Sequence, residues 1–167
     1  SNAIAGDYVI TFSPIPYYNI PPPQTNTLTG TAPLIFRGTY SFTDINNNQI
    51  SDSWEQQYFN EVSPDHSGST DSDLDGMTDL AEFIAGTDPT DFASRLELAE
   101  AEMMAGNRVR LTWSSVADKT YQVLGSSDAV KWQAFSGEIP ASGTQTTFSL
   151  PLPADSNVFF FKLQVIP

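Results

Sequence analysis

Cysteine is absent from this chain of 167 residues, and basic residues are few, since seven Lys and Arg stand against 20 Asp and Glu. Without cysteine the chain has neither disulfide bonds nor thiol chemistry, which leaves the redox compartment open. One histidine and no cysteine also argue against a zinc site. The net charge of -13 argues against nucleic acids and anionic lipid surfaces as partners, because both are bound through clustered Lys and Arg. A cation is the partner that this charge favours.

Long apolar runs are also absent. No stretch of about 18 consecutive apolar residues occurs, so we expect no membrane insertion of this segment. The 12 prolines and 10 glycines favour many turns and short elements, as in small modules arranged in tandem. Ser1, Asn2 and Ala3 are typical of the remnant of a cleaved affinity tag, and we exclude them from fold reasoning.

Residues 71–82, which read DSDLDGMTDLAE, have the spacing of a calcium-binding loop. Calcium binds roughly six to eight hard oxygen atoms, and alternating side chains on a tightly wound loop can direct several carboxylates at one centre. Gly76 is the sixth residue, where the chain must turn sharply and a positive φ carries no Cβ penalty. The expected calcium ligands of this downstream loop are Asp71, Asp73, Asp75, the Met77 carbonyl, Asp79 (directly or through a water) and Glu82.

A second copy of the pattern begins 27 residues upstream. It has three carboxylates where the downstream loop has five, and Gln49 replaces the glycine. We expect Gln49 to adopt a left-handed conformation at a cost of roughly 1 kcal/mol. The sequence therefore predicts a second, weaker calcium site in this upstream loop and two ions in all. The expected upstream ligands are Asp44, Asn46, Asn48, the Ile50 carbonyl, Asp52 and Glu55.

The alternative interpretation of both loops is that they are only solvated acidic turns. Charge distribution argues against it, because residues 44–91 contain 12 of the 20 acidic groups and no Lys or Arg. Two carboxylates about 5 Å apart repel by roughly 0.8 kcal/mol in water and by about 3 kcal/mol at an effective dielectric constant near 20. We therefore expect the middle segment to be loose without calcium and ordered with it.

Hydrophobic alternation after Arg95 predicts β-strands. Breaks rich in Gly, Pro, Asn and Asp recur about every 8 to 12 residues, which is typical of two packed antiparallel sheets. The predicted strands are 95–103, 107–114, 119–126, 130–136, 144–150 and 158–166. Further upstream the sequence predicts strands at 8–12 and 34–42 with Pro-rich extended or loop structure between them, and helices at 52–60 and 79–85. The expected fold class is mainly β, a calcium-loop segment with two short helices joined to a small antiparallel β-sandwich.

The segment 44–91 resembles the thrombospondin type 3 calcium repeats of bacterial surface proteins, through residues 71–82 and the tail GTDP at 86–89. It is also similar to the loop-plus-helix units of EF-hands and dockerins. The eighth position of an EF-hand loop is normally a branched aliphatic residue, and here Ser51 and Thr78 occupy it. This difference favours the thrombospondin type 3 likeness, which implies calcium binding, over paired EF-hand or cohesin-docking geometry.

The C-terminal segment resembles a fibronectin type III or related immunoglobulin-like module. The likeness rests on Leu111-x-Trp113, Tyr121-x-Val123 and the closing run 152–165. The predicted segments are a tag remnant at 1–3, a Pro-rich strand and loop segment at 4–43, a two-loop calcium-binding segment at 44–91 and a sandwich at 92–167.

These features predict a non-enzymatic, calcium-binding connector module of a larger secreted or surface-attached bacterial protein. Calcium loops of this kind are permanently loaded where calcium is millimolar, which favours an extracellular location. One alternative is a glycan- or protein-binding adhesive module, with Trp113, Tyr121 and Trp132 forming a sugar-stacking platform instead of core. Another is an accessory region of an extracellular polysaccharide-degrading enzyme.

Catalysis by the segment itself is not expected. His66 is the only histidine, and it lies in a flexible acidic loop without the Gly-x-Ser-x-Gly turn that presents a nucleophile. Paired carboxylates for glycoside hydrolysis are numerous, but that chemistry needs one raised pKa in an apolar cleft, and a bound calcium ion would lower it. The acidic residues are better explained as calcium ligands.

Overall fold

The computed structural model describes residues 4–153 and 159–166, so the tag remnant predicted at 1–3 lies outside the described residues. The described residues form two short helices and nine β-strands, and the strands pair antiparallel throughout. The prediction of a mainly β chain with two short helices is confirmed. Within the described ranges, no helix combines the length and the apolar character needed to cross a membrane.

The chain divides into two compact units, residues 1–64 and 65–167. The upstream loop belongs to the first unit, and the downstream loop belongs to the second unit together with the sheets formed after residue 97. The predicted segment 44–91 thus contributes to both units, and its limits remain predictions.

The first unit contains a hairpin of β1 (Gly6–Ile10) and β2 (Gln24–Leu28), in which Tyr8 lies opposite Asn26. The strand predicted at 8–12 is therefore present but begins and ends two residues earlier. Strand β2 was not predicted, because its sequence QTNTL is polar and follows the Pro-rich run. β-branched threonines at alternate positions are the signal that could have indicated it.

The strand predicted at 34–42 is wrong, because no strand forms there among the described residues. Side chains of β2 bind this segment in place of a backbone ladder. The Arg37 amide donates to Gln24 Oε1 at 3.0 Å, and Gln24 Nε2 donates back to the Arg37 carbonyl. Asn26 Nδ2 donates to the Ile35 carbonyl at 2.8 Å. Side-chain amides thus satisfy backbone groups that a neighbouring strand would otherwise pair.

Helix α1 (Asp52–Phe59) follows the upstream loop directly. Ser51 occupies the N-cap position, but its hydroxyl makes no capping bond and donates instead to the Tyr17 carbonyl at 3.0 Å. Trp54 is only 1% exposed, and its ring centroid lies 5.0 Å from that of Tyr58. An isolated helix of this length is marginal in water, so burial of Trp54 is what holds it in place.

The second unit begins with the downstream loop and helix α2 (Asp79–Ala85). Two sheets follow. One has the order β3 (Leu98–Met104), β4 (Arg108–Ser114) and β8 (Gln145–Pro151), and in the other β5 (Thr120–Ser126) pairs with β6 (Gln133–Ala134), β7 (Ile139–Pro140) and β9 (Phe160–Ile166).

Alternate residues of the two sheets share one core. Leu111 and Trp113 of β4 are fully buried, and Tyr121 and Val123 of β5 pack in the same cluster. This common core joins the sheets face to face, as in the predicted sandwich. Trp113 and Tyr121 are therefore core residues and do not form a surface platform.

The predicted strand positions agree with β3, β4, β5, β8 and β9 to within three residues at each described end. The strand predicted at 130–136 is reduced to β6, and β7 was not predicted. Residue 158 and part of the turn expected at 151–157 lie outside the described residues. The core strands were predictable because burial on one face imposes strict alternation, whereas two-residue strands carry no such pattern.

Candidate metal centre

The downstream loop is wound by hydrogen bonds from its own backbone to its carboxylates. Gly76 N–H donates to Asp71 Oδ2 at 3.0 Å, Asp75 N–H donates to Asp73 Oδ1 at 3.1 Å, and Met77 N–H donates to Asp75 Oδ1 at 2.7 Å. Each of the three carboxylates therefore uses one oxygen to fix the loop. The second oxygen of each remains for another partner.

Those second oxygens are buried, although the three residues as a whole are only half-buried. Asp71 Oδ1, Asp73 Oδ2 and Asp75 Oδ2 are each buried, and none has a hydrogen-bond partner among the described residues. One carboxylate oxygen from each residue lies within 4.8 Å of the others. Buried charged oxygens without a donor are unfavourable, and this group of three aspartates could hold a metal ion.

Glu82, in the first turn of α2, lies outside the group of three aspartates whose oxygens are within 4.8 Å of one another, but it is close enough to feel the charges of Asp73 and Asp75. Its side chain is fully buried, Oε1 accepts a hydrogen bond from Thr87 Oγ1 at 3.1 Å, and Oε2 has no partner among the described residues. The pKa of the Glu82 carboxyl is raised to about 8, chiefly by burial; the Thr87 hydrogen bond opposes this rise, and the charges of Asp73, Asp75 and Asp79 add to it. A cation would offset both the burial and the repulsion.

The pKa of the Asp73 carboxyl is also raised. Its pKa is raised by burial and, in part, by the neighbouring charges of Asp75 and Asp71, although backbone hydrogen bonds partly compensate. The loop therefore concentrates negative charge that its own hydrogen bonds do not neutralise.

Asp79, expected as a ligand, has both oxygens engaged by donors from the loop. Oδ1 accepts from Ser72 N–H at 3.1 Å, and Oδ2 accepts from Ser72 Oγ at 3.0 Å and lies 3.3 Å from His66 Nδ1. Asp52 accepts the corresponding bond from Ile45 N–H at 3.0 Å in the upstream loop. In each loop the aspartate at the ninth position thus binds the residue at the second position of the same loop. These contacts favour a role in holding the loop in shape, which we call bracing, over direct ligation of a metal ion.

The contacts of Asp79 also differ from those of a hydrolytic triad. In a triad the histidine lies between the acid and the nucleophilic hydroxyl. Here Asp79 is the central group, with the Ser72 hydroxyl and the His66 ring both bound to its carboxylate. Sequence reasoning did not assign these two bracing residues, and no local pattern around His66 indicates its contact with Asp79.

Helix α2 is capped at both ends, which fixes Glu82. Thr78 Oγ1 accepts from Ala81 N–H at 3.3 Å, as expected for an N-cap. Gly86 adopts a φ of 79° and donates its N–H to the Glu82 carbonyl at 2.6 Å, as expected for a C-terminal cap. Lys119 Nζ donates to the Ile84 carbonyl at 2.8 Å, and burial lowers the pKa of this lysine.

The upstream loop repeats the backbone geometry of the downstream loop. Gln49 N–H donates to Asp44 Oδ2 at 3.0 Å, Asn48 N–H to Asn46 Oδ1 at 3.3 Å, and Ile50 N–H to Asn48 Oδ1 at 2.9 Å. Gln49 has a φ of 71°, which confirms the left-handed conformation expected of it. The internal repeat inferred from spacing is therefore present in the structure.

The carboxylate that ends the upstream loop has different surroundings. Glu55 is fully buried like Glu82, but it accepts hydrogen bonds from Asn46 Nδ2 at 3.1 Å, Asn48 Nδ2 at 2.9 Å and Ser63 N–H at 3.1 Å. Among the described residues, no buried side-chain oxygen of the upstream loop lacks a hydrogen-bond partner. The two loops have similar backbone hydrogen bonds and differ in the hydrogen-bond donors that surround their closing glutamate.

The carbonyls of Met77 and Ile50 remain predicted ligands. The Met77 side chain has a separate role, because its sulfur accepts a hydrogen bond from Leu96 N–H at 3.1 Å. Ile50 is fully buried. Both residues anchor the seventh position of their loops.

Comparison of the chain with protein-family models, with characterised proteins and with solved structures found no match. The likenesses to thrombospondin type 3 repeats and to fibronectin type III or immunoglobulin-like modules therefore remain interpretations of the sequence.

Proposed function

We propose that this chain is a non-enzymatic calcium-binding structural module of a larger secreted or surface-attached bacterial protein. The downstream loop holds the ion through Asp71, Asp73, Asp75 and Glu82. The observation that carries the proposal is the set of four buried carboxylate oxygens, one from each of these residues, that have no hydrogen-bond partner among the described residues. Calcium is the cation whose ligand chemistry fits this all-oxygen donor set and this loop spacing.

The surroundings of the loop indicate what the ion would stabilise. Met77 is hydrogen-bonded to Leu96, which packs against the sandwich core, and Ile84 at the end of α2 is hydrogen-bonded to Lys119, next to β5. Ordering of the loop and of Glu82 would therefore also order the junction with the sandwich. This supports a connector in which calcium fixes the chain leading into a β module.

An extracellular location follows from the same chemistry. Calcium loops of moderate affinity are saturated at millimolar calcium and unoccupied at cytosolic calcium. A structural role that depends on permanent occupancy therefore fits a secreted or cell-surface protein.

The adhesive alternative has less support. A sugar-stacking platform needs exposed aromatic faces, whereas Trp113 and Tyr121 are buried and Trp132 is half-buried with Lys162 Nζ 5.3 Å from its ring centroid. A glycan- or protein-binding role, or a role as an accessory region of a polysaccharide-degrading enzyme, would have to use another surface.

Joint replacement of Asp73 and Asp75 by Ala tests the proposal. The variant should lose the downstream ion in a calorimetric calcium titration. Its melting temperature should become the same in calcium and in chelator, because the ligand no longer stabilises the folded state. At about 100 times Kd a bound ion contributes about 2.7 kcal/mol, a loss on the order of 10 °C for a unit of this size.

A matched control removes the same charge elsewhere. Glu100→Ala with Glu138→Ala also deletes two carboxylates, and both of these residues are exposed and lie outside the loops. This control should keep the calcium stoichiometry and the calcium-dependent rise in melting temperature. Unchanged calcium binding in the Asp73/Asp75 variant would refute the assignment of the site.

A further inference from the structure

The two loops differ most at their third and fifth positions. The downstream loop has Asp73 and Asp75 there, and the upstream loop has Asn46 and Asn48. In all four residues one side-chain oxygen accepts a backbone N–H of the loop. The difference lies in the second polar atom of each side chain.

An aspartate has a second oxygen, which can only accept, whereas an asparagine has an NH₂ group, which can only donate. Downstream, the second atoms are buried oxygens without a partner among the described residues. Upstream, the second atoms are the Nδ2 groups of Asn46 and Asn48, and both donate to Glu55. At the third and fifth positions, the second side-chain atoms are thus acceptor oxygens of carboxylates in the downstream loop and hydrogen-bond donors in the upstream loop.

The orientation of Asn48 follows from its neighbours. Its Oδ1 accepts from Ile50 N–H at 2.9 Å while its Nδ2 donates to Glu55 Oε1 at 2.9 Å. Rotating the amide by half a turn would set N–H against N–H and oxygen against carboxylate, so both contacts select the same orientation. Ser63 N–H, at 3.1 Å from Glu55 Oε1, adds a backbone donor to the same carboxylate.

We propose that the upstream loop is a cation-independent counterpart of the downstream loop, in which the amides of Asn46 and Asn48 take the place of a metal ion on Glu55. The chain then binds one calcium ion, where the sequence predicts two. This inference rests on the proposed function for the downstream loop. If the inference is correct, only the downstream loop, in the second unit, needs calcium to be ordered. The upstream loop, in the first unit, keeps its structure with or without calcium.

A reciprocal exchange of the two residue pairs provides the test. Asn46→Asp with Asn48→Asp gives the upstream loop the downstream ligands, and Asp73→Asn with Asp75→Asn gives the downstream loop the upstream amides. Calorimetric titration with calcium chloride after chelator treatment should show one ion for the wild-type chain, two for the Asn46/Asn48 variant and none for the Asp73/Asp75 variant. Amide hydrogen exchange of residues 44–52 should not respond to calcium in the wild-type chain.

The possible failures are distinguishable. A wild-type chain that binds two ions, one of which Glu55→Gln removes, overturns this inference and leaves the proposed function intact. A wild-type chain that binds none overturns the proposed function. If the Asn46/Asn48 variant does not fold, the Asp73/Asp75 variant still tests the inference, because an ion that it retains and that Glu55→Gln then removes would place a cation in the upstream loop and overturn the inference.

Discussion

At the scale of single residues, asparagine and aspartate at the same loop positions need opposite partners. The second oxygen of aspartate needs a donor or a cation, whereas the NH₂ group of asparagine needs an acceptor. The loops made by residues 44–55 and 71–82 share three hydrogen bonds from backbone N–H groups to the side chains at the first, third and fifth positions, and the upstream loop has one more, from Asn48 N–H to Asp44 Oδ1 at 3.1 Å. The two loops are therefore wound alike, and the exchange of an oxygen for an NH₂ group is the main difference between them. Spacing alone could predict both loops, because ligand positions repeat in sequence. It could not predict which atom of Asn46 or Asn48 faces inward, because that depends on Glu55 and Ser63 lying nearby in the fold.

Asp128 gives a prediction at this scale that does not involve the metal. Its Oδ1 accepts hydrogen bonds from Lys131 N–H at 2.8 Å, Val130 N–H at 2.9 Å and Ser126 Oγ at 2.9 Å, and these donors lower the pKa of the carboxyl below its ordinary value of 3.8. The stabilisation is fully present above the unfolded pKa and is lost as pH falls through the folded pKa.

Asp128→Ala should therefore lower the free energy of unfolding at neutral pH. The difference from the wild-type chain should shrink as the pH falls below 3.8. Urea unfolding at a series of pH values, with both proteins at the same calcium concentration, measures this difference. A difference that stays constant down to the lowest pH at which both proteins fold would show that the carboxylate charge is not responsible.

At the scale of elements, both helices are too short to be stable alone, so their ends and their buried faces decide whether they form. Helix α2 depends on Thr78 at its start and on Gly86 at its end, and it carries Glu82 between them. The left-handed φ of 79° at Gly86 is one that residues with a Cβ adopt only at a cost.

Gly86→Ala should destabilise the second unit by about 1 to 2 kcal/mol, because a Cβ disfavours the left-handed conformation. The new Cβ would also lie 2.9 Å from Lys119 Cε, which must move aside. Gly143→Ala is the matched control, since that residue has no left-handed φ and no neighbouring atom within 4 Å of the added Cβ. Urea unfolding in calcium measures both variants, and equal stabilities for the two would contradict this account of the cap.

The elements also show what sequence patterns can and cannot predict. Strands β4, β5, β8 and β9 were predictable, because they contribute alternate side chains to a common core. Both calcium-type loops and the caps of α2 were predictable from local spacing. Strand β2 and the loop at 34–42 were not, because Gln24 and Asn26 bind backbone groups through their side chains and replace the expected ladder. The contact between His66 and Asp79 depends on tertiary packing and leaves no periodic signal.

At the scale of the whole molecule, a net charge of -13 has to coexist with buried carboxylates. The first unit surrounds its buried Glu55 with amide and backbone hydrogen-bond donors. The second unit leaves Glu82 and three aspartates with oxygens that lack donors among the described residues. We therefore expect chelation to affect the two units unequally, although both contain the same kind of loop.

The most direct test of the central claim is a calorimetric calcium titration of the chelator-treated protein, paired with melting curves in calcium and in chelator. We expect one ion per chain and a melting temperature that rises by on the order of 10 °C at saturating calcium. No heat of binding together with superimposable melting curves would contradict the claim that the downstream loop is a calcium site.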